Sequence, residues 1–155
     1  MTPLIDGLQY ANWSEKIFRQ MRAGGVDAVH VTITYHETFR ETVQVIERWN
    51  RWFELFPDLI FQGRTAADVS RARDTGRTAI FFGSQNPSCI EDDIGLVEVL
   101  HTLGSRLIEF HSQNKTVAAS MIAEKKVSGQ RSYRVATRRQ SFRRPNMISM
   151  RLRRL

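Results

Sequence analysis

The sequence has 155 residues, 41% of them hydrophobic, which is enough for one globular domain with a real core. Its net charge of +7 is uneven: residues 1–114 carry 11 Lys and Arg against 15 Asp and Glu, whereas residues 115–155 carry 12 against Glu124 alone. The single cysteine, Cys89, excludes an intrachain disulfide, and no apolar run approaches the roughly 20 residues that a membrane span needs. Because the first residues also lack the basic and apolar segments of a signal peptide, we expect a soluble, cytoplasmic protein.

Predicted strands alternate with predicted helices along the first two thirds of the chain. Apolar runs rich in β-branched residues predict strands at 3–6, 26–35, 58–61, 77–83 and 106–110. Helical spacing of apolar residues predicts helices between them, at 13–21 with Asn12 as N-cap, 36–56, 65–73 and 94–103. Strands joined by helices indicate right-handed crossovers and a parallel sheet. The predicted fold class is therefore α/β, either a doubly wound sheet or a portion of a (β/α)8 barrel.

The basic tail, residues 115–155, has no sustained period and is expected to be irregular and outside the fold. Its arginine pairs, with Tyr133 and Phe142 between them, would suit a nucleic-acid backbone with some base stacking, so one interpretation is a small nucleic-acid-binding protein. The other is a shifted reading frame, because acidic residues and periodicity are lost at the same place. We therefore predict two regions, a folded part at 1–114 and this tail.

Polar residues follow three of the predicted strands, at 6–10 (DGLQY), 35–37 (YHE) and 83–88 (GSQNPS). In parallel α/β folds the reactive groups lie at the carboxyl ends of strands. The stretch GRTAIFFGSQNPSCIEDDIGLVEVLHTLGSRLIEF, with Asp6-Gly7 ahead of ANWSEKIF, resembles the N-terminal half of the membrane dipeptidase family of metallopeptidases, family M19. The resemblance covers about residues 4–112. It implies the N-terminal portion of a (β/α)8 barrel and a zinc-dependent hydrolysis of dipeptides.

The family's zinc ligands are changed in this sequence. Family members show D-G-H-N-D on the first strand and G-x-E-G-G-H after a later one, which places the histidine on Leu8, the aspartate on Tyr10 and the glutamate on Gln85. Leucine has no lone pair, a neutral amide lacks the charge of a bridging carboxylate, and a phenol with a pKa of about 10 would have to lose its proton. The remaining ligands are expected beyond residue 155. We therefore expect a truncated, inactive form that does not bind zinc, with a dipeptide-like partner if it is active.

Four polar side chains near strand ends remain weak candidates for a site: Asp6, His36, Gln85 and His111. For Asp6 a turn contact, and for His36 with Glu37 a helix cap, are the simpler interpretations. No catalytic residue is predicted.

Other residues have structural interpretations that need no ligand. His30 is expected to be a hydrogen-bonded core histidine, and Cys89 a packing thiol. The acidic residues 91–93 are expected in the first turn of a helix, where they would complement its dipole. Trp49 and Trp52 could form a shelf for a ligand, but an aromatic stripe on a helix is usually part of the core, which is where we expect them. A sheet that does not close also leaves unpaired edges, which predicts self-association.

Overall fold

Parallel strands alternate with helices in the computed structural model, which describes residues 2–110 and 148–151. The elements in chain order are β1 (Ile5–Gln9), α1 (Glu15–Ala23), β2 (Ala28–Thr34), α2 (Phe39–Leu55), β3 (Ile60–Gln62), α3 (Ala67–Asp74), β4 (Thr78–Ser84), a 3-10 turn (Pro87–Ile90), α4 (Leu96–Thr102), β5 (Ser105–Phe110) and β6 (Ile148–Arg151). The predicted α/β class with a parallel sheet is confirmed. Among the described helices, none combines the length and the apolar character needed to cross a membrane.

One sheet contains every described strand, in the order β1-β2-β4-β5-β6, with β3 also paired to β4. The pairings are parallel except for β5 with β6. β4 is the central strand: β2 borders one side, while β3 at its amino half and β5 at its carboxyl half share the other. Such a strand is buried on both faces, which explains the continuous apolar run Ala79-Ile80-Phe81-Phe82.

The outer face of the sheet, as we call the face covered by α1, α2 and α4, holds the main core. Alternate residues of β2 and β4 supply Val29, Val31, Ile33, Ile80 and Phe82, all at most 2% exposed. Side chains of the three helices pack on them, among them Phe18, Ile46, Trp49, Val97 and Leu100. Trp49 is 1% exposed and its ring lies 5.9 Å from that of Phe82. The expected core position of Trp49 is thus correct, with Trp52 partly buried against the same cluster.

The inner face is the opposite side of the same strands. It is formed by Ala28, His30 and Thr32 of β2, which pair with Ala79, Phe81 and Gly83 of β4. A second, smaller apolar cluster covers its amino-terminal end, where Ala72 of α3 and Phe61 of β3 meet the two alanines. Helix α3 therefore lies on the side of the sheet opposite to the other three helices.

The helix starts show which local signals the sequence carries clearly. Thr38 caps α2 in a complete capping box, because Glu41 N–H donates to the Thr38 hydroxyl and the Glu41 carboxylate accepts from the Thr38 N–H. The prediction of Asn12 as the cap of α1 is wrong: Ser14 is the cap and its side chain makes no capping hydrogen bond. Helix α1 ends as expected at Gly24-Gly25, where Gly25 has φ +70°.

The acidic residues 91–93 lie before α4, not in its first turn, because α4 begins only at Leu96. A 3-10 turn that the sequence did not reveal occupies residues 87–90 and displaces the helix start. Glu91 instead accepts a hydrogen bond from the Phe39 N–H at 3.0 Å, so its carboxylate complements the start of α2 rather than that of α4.

The tail was expected to be irregular, yet Ile148–Arg151 forms β6, antiparallel to β5. The short alternation Ile-Ser-Met-Arg fits a strand, but four residues are too few to stand out from sequence alone. The rest of the predicted tail lies outside the described residues, so the boundary between 1–114 and 115–155 stays a prediction. The described sheet therefore has β1 as its edge strand on one side and β6 on the other.

Candidate functional site at the carboxyl edge of the sheet

The carboxyl ends of β1, β2 and β4 meet at one edge, as the sequence predicts for parallel strands. The Gln85 N–H donates to the Thr34 carbonyl at 2.9 Å, and the Asn86 side-chain amide donates to the Tyr35 carbonyl at 2.6 Å. The rings of Tyr10 and Tyr35 lie 6.4 Å apart. These contacts bring the turn after β4 and the residues after β1 to the same place, beside the end of β2.

The three family ligand positions carry side chains with other chemistry. Leu8 is 42% exposed and Tyr10 75% exposed, so neither is buried in a coordination shell. The Gln85 amide donates to the Thr32 hydroxyl at 3.0 Å, a hydrogen bond that a neutral side chain makes and that holds it against β2. The three positions therefore lie at the carboxyl edge but lack the histidine and the two carboxylates that the family has there.

Asp6 lies inside β1, which extends to Gln9, three residues past the predicted strand end. Its carboxylate accepts from the Leu8 N–H at 3.3 Å, a local contact of the kind expected for a turn. The register of β1 on β2 shifts between Asp6 and Gln9, and this irregularity explains why the strand end is hard to locate from sequence.

His36 is exposed and its ring packs against Tyr35, with centroids 4.3 Å apart. The interpretation of His36 and Glu37 as a helix cap is wrong, because Thr38 and Glu41 form the cap of α2. The Glu37 carboxylate instead accepts from the backbone N–H groups of Tyr35 and His36, which fixes the turn after β2. His111, the fourth candidate, lies outside the described residues.

His30 is only half-satisfied as a core histidine. Its Nδ1 is 2.9 Å from the Gly7 carbonyl, while its Nε2 is buried and has no hydrogen-bond partner among the described residues. Burial lowers the pKa of His30, and the Gly7 contact and the charge of Asp6 oppose that shift. A Cβ on Gly83 would lie 1.8 Å from Nε2, so the glycine makes room for the ring. His30 thus bridges β1 and β4 across the inner face.

Cys89 is fully buried, and burial raises the pKa of its thiol, as expected of a packing cysteine. Its sulfur lies 3.5 Å from the Ser84 hydroxyl.

A cleft of about 390 Å³ opens beside this edge, and the sequence alone did not predict it. Glu37 and Arg48 supply one charge of each sign to its wall. Five aromatic side chains also line it: Tyr10, Trp13, Tyr35, Trp49 and Trp52. The signal in the sequence is the aromatic stripe of α2, for which the core is the favoured interpretation and a ligand shelf the alternative. Trp52 belongs both to the edge of that core and to the cleft wall.

Comparison with known proteins identifies the family. The family model described as membrane dipeptidase (peptidase family M19) matches residues 10–137, more than half of the chain. The chain belongs to the membrane dipeptidase family. Dipeptidase tcpJ of Claviceps purpurea (strain 20.1) is 28% identical over 99 residues, which cover 63% of this chain and 22% of that protein.

Two solved structures resemble the chain. The crystal structure of an amidohydrolase from Pseudomonas aeruginosa is similar with a TM-score of 0.67 and 38% identity, over 68% of this chain and 33% of that one. The dipeptidase AC, a metallopeptidase of family M19, has a TM-score of 0.59 at 16% identity, over 67% and 41%. The second likeness shows the fold alone. The chain spans less than half the length of each of these relatives.

A metallopeptidase family implies metal dependence in general, so the described residues can be tested against a metal. Nowhere in residues 2–110 and 148–151 do three or more His, Cys, Asp or Glu side chains group closely enough to hold one ion. At the family positions, Leu8 has no donor atom and the Gln85 amide is engaged with Thr32. The residues present do not fit the zinc pair of the family.

Proposed function

We propose that this chain is a dipeptidase-type hydrolase fold without hydrolytic activity, which binds a dipeptide-like molecule at the carboxyl edge and holds no zinc there. The observation that carries the proposal is the Gln85 amide bound to the Thr32 hydroxyl at the position of a family carboxylate. A pair of dications needs the negative charge of a bridging carboxylate, which an amide cannot supply. The truncation and the cytoplasmic setting predicted from sequence stay predictions.

The cleft beside the edge supports the choice of ligand. A free dipeptide carries an ammonium group and a carboxylate, and the cleft presents Glu37 and Arg48 together with aromatic walls. Glu37 uses one carboxylate oxygen for the turn after β2, which leaves the other for a ligand ammonium group. Aromatic side chains supply contact area for an apolar dipeptide side chain.

Zinc analysis of a ligand-restored variant tests the emptied metal site. In the variant, Leu8→His, Tyr10→Asp and Gln85→Glu put the family donors back at the same edge. We expect the unchanged chain to retain no zinc above a buffer control after dialysis, and the variant to retain zinc. A matched control with Leu8→Asn and Tyr10→Asn adds polarity without ligand charge and should stay at background. Zinc together with dipeptide turnover in the unchanged chain would contradict the proposal.

Calorimetric titration with glycyl-phenylalanine tests the ligand. Arg48→Gln should weaken binding by about tenfold, the usual size of a lost charge-assisted hydrogen bond. Arg51→Gln is the matched control, because Arg51 lies on the same helix but pairs with Glu47 and Glu54. The cleft assignment fails if the two variants bind alike, or if the uncharged N-acetyl-phenylalanine amide binds as well as the dipeptide.

Self-association through the open sheet edge is also proposed. Four of the seven exposed large apolar side chains among the described residues lie along β1 and beside it, at Leu4, Ile5, Leu8 and Tyr10. An unpaired apolar edge favours pairing with another strand. Light scattering should show that Ile5→Lys lowers the mass of any oligomer, and a compact monomer of the unchanged chain would contradict this proposal.

A further inference from the structure

A second cavity, of about 550 Å³, opens on the inner face of the sheet. It lies at the amino halves of β2 and β5 and beside the start of α3, and it shares no lining residue with the aromatic cleft. The function proposed above does not use it.

Two arginines line this cavity without a carboxylate partner. Arg64 and Arg106 have no Asp or Glu oxygen within 4.0 Å in the part of the chain that the structure describes, although Arg71 beside them pairs with Asp68 at 3.2 Å. Asp68 also accepts from the N–H groups of Arg64 and Thr65, so its oxygens are already occupied. The cavity therefore has an excess of positive charge at one side.

Hydrogen bonds to neutral oxygens hold both guanidinium groups in place. Arg106 donates through Nε to the Arg64 carbonyl and through Nη1 to the carbonyls of His101 and Ser105, each at 2.8 Å. Arg64 donates through Nε and Nη2 to Gln62 Oε1, at 2.9 and 2.7 Å. Nη2 of Arg106 and Nη1 of Arg64 have no acceptor among the described residues. The hydrogen bonds of the other nitrogens orient Nη2 of Arg106 and Nη1 of Arg64 before a ligand binds, which lowers the conformational entropy lost on binding.

The positive charges of Arg64 and Arg106 lie close together with little negative charge to balance them. Burial, and after it the positive charge of Arg64, lower the pKa of the Arg106 guanidinium, while the charge of Asp68 opposes this shift without cancelling it. Asp6 is the carboxylate residue among the cavity walls, and it contacts the Leu8 N–H. Beyond residue 110 the sequence holds one carboxylate side chain, Glu124, against 12 Lys and Arg. An anion from outside the chain is the complement that this charge distribution favours.

Apart from the two arginines and the polar residues Asp6, His30 and Thr65, the cavity wall is apolar. Ile5, Val69, Phe81 and Leu107 face the space beside the two arginines. A hydrophilic ion such as inorganic phosphate would gain nothing from these side chains, whereas a molecule with a hydrocarbon or aromatic body would bury area against them.

We infer that the inner-face cavity binds a small organic carboxylate, with its carboxylate on Arg64 and Arg106 and its apolar body against Phe81 and Leu107. Guanidinium groups match carboxylate geometry through paired N–H donors, and an apolar pocket with a few convergent polar groups is the usual form of a small-molecule site. The inference is independent of the dipeptide cleft and of zinc.

Titration of the full chain with 3-phenylpropionate tests the inference. One molecule should bind per chain, and Arg64→Gln should weaken binding by about tenfold. Arg64 is chosen because, among the residues that the structure describes, its side chain hydrogen-bonds only to Gln62. Its loss should therefore leave the fold intact, which circular dichroism checks. Arg64→Lys, which keeps the charge, should lose less. Arg19→Gln, an equal change of charge on α1 at a residue paired with Glu15, should bind like the unchanged chain.

Two further probes separate the sources of affinity. The neutral 3-phenylpropionamide should bind about tenfold more weakly than the acid, and inorganic phosphate should not displace the acid at equal concentration. Equal binding of acid and amide, equal loss in Arg64→Gln and Arg19→Gln, or no binding of the acid would each overturn the inference. Arg48→Gln removes the positive charge of the aromatic cleft, and it should leave the binding of 3-phenylpropionate unchanged.

Discussion

The two faces of the same sheet differ in what their residues can do. On the outer face, β2 and β4 present large aliphatic and aromatic side chains that three helices cover completely. On the inner face the same strands present alanine, threonine, glycine, one histidine and Phe81. The cavity beside them has two arginines with no carboxylate partner in the part of the chain that the structure describes. Adjacent residues of one strand therefore have different roles, one in the core of the outer face and the next in the wall of the inner face. The contrast indicates that most of the stability comes from one face, which leaves the other free to vary in chemistry.

Phe81 and Phe82 give the largest expected difference between the faces, since they are neighbours of the same type on opposite sides of β4. Phe82 is fully buried against Trp49 and Phe53, whereas Phe81 is partly buried beside the cavity. Phe82→Ala should lower the free energy of unfolding by about 3–5 kcal/mol, and Phe81→Ala by roughly half as much. Urea unfolding measures both. Equal losses would mean that the two faces contribute equally to the free energy of unfolding, which would contradict the contrast drawn between them.

Gly83→Ala tests how tightly the inner face fits His30. The new Cβ would lie 1.8 Å from His30 Nε2 on a buried strand, so we expect a loss of about 1–3 kcal/mol from overpacking. Gly7→Ala is the control, because nothing lies within 4 Å of a Cβ there and its effect should be small. Adding His30→Ala to Gly83→Ala should recover part of the loss; a purely additive double variant would show that the ring is not the obstacle.

Thr38→Ala tests how α2 is held over the outer face. It removes a side-chain oxygen that accepts from the Glu41 N–H, and should cost about 1 kcal/mol in thermal or urea unfolding. Ser14→Ala at the start of α1 is the matched control, because Ser14 makes no side-chain capping bond. Similar losses at the two positions would contradict the assignment of the caps.

The pH dependence of stability should reveal His30 on the inner face. Because burial lowers its pKa in the folded state, the unfolded chain binds more protons below about pH 6.5, the ordinary histidine value. The contribution of His30 to stability is therefore present above that pH and is lost as the pH falls through the lowered folded pKa. His30→Gln should flatten this part of the profile, and the exposed His36→Gln should not. An unchanged slope in His30→Gln would remove the role assigned to burial.

The order of the elements could be predicted from sequence because each strand is a short apolar run and each helix has a clear period. Local boundaries were harder where two signals compete. The 3-10 turn at 87–90 displaces the start of α4, so Glu91 contacts the start of α2 instead, while Asp93 accepts from the N–H of Gly95 just before α4. The N-cap of α1 is Ser14 and not Asn12. Because the Ser14 side chain makes no capping hydrogen bond, the sequence gives no clear signal for the start of this helix.

The meeting of the strand ends at one edge could be predicted from sequence, whereas the two cavities beside the sheet could not. Matching motifs located Leu8, Tyr10 and Gln85 at one edge, and the structure brings the corresponding turns together. The aromatic cleft and the arginine pair depend on residues distant in sequence, such as Arg64 and Arg106, which no local pattern links. Only the packing of β5 beside β4, with α3 across the inner face, makes them neighbours.

We propose that the carboxyl edge of the sheet lacks the metal chemistry of a dipeptidase. The most direct measurement is the zinc content of the purified full chain beside the variant with Leu8→His, Tyr10→Asp and Gln85→Glu. We expect background zinc in the unchanged chain and bound zinc in the variant. Tightly bound zinc in the unchanged chain, at the stoichiometry of a metal pair, would contradict it.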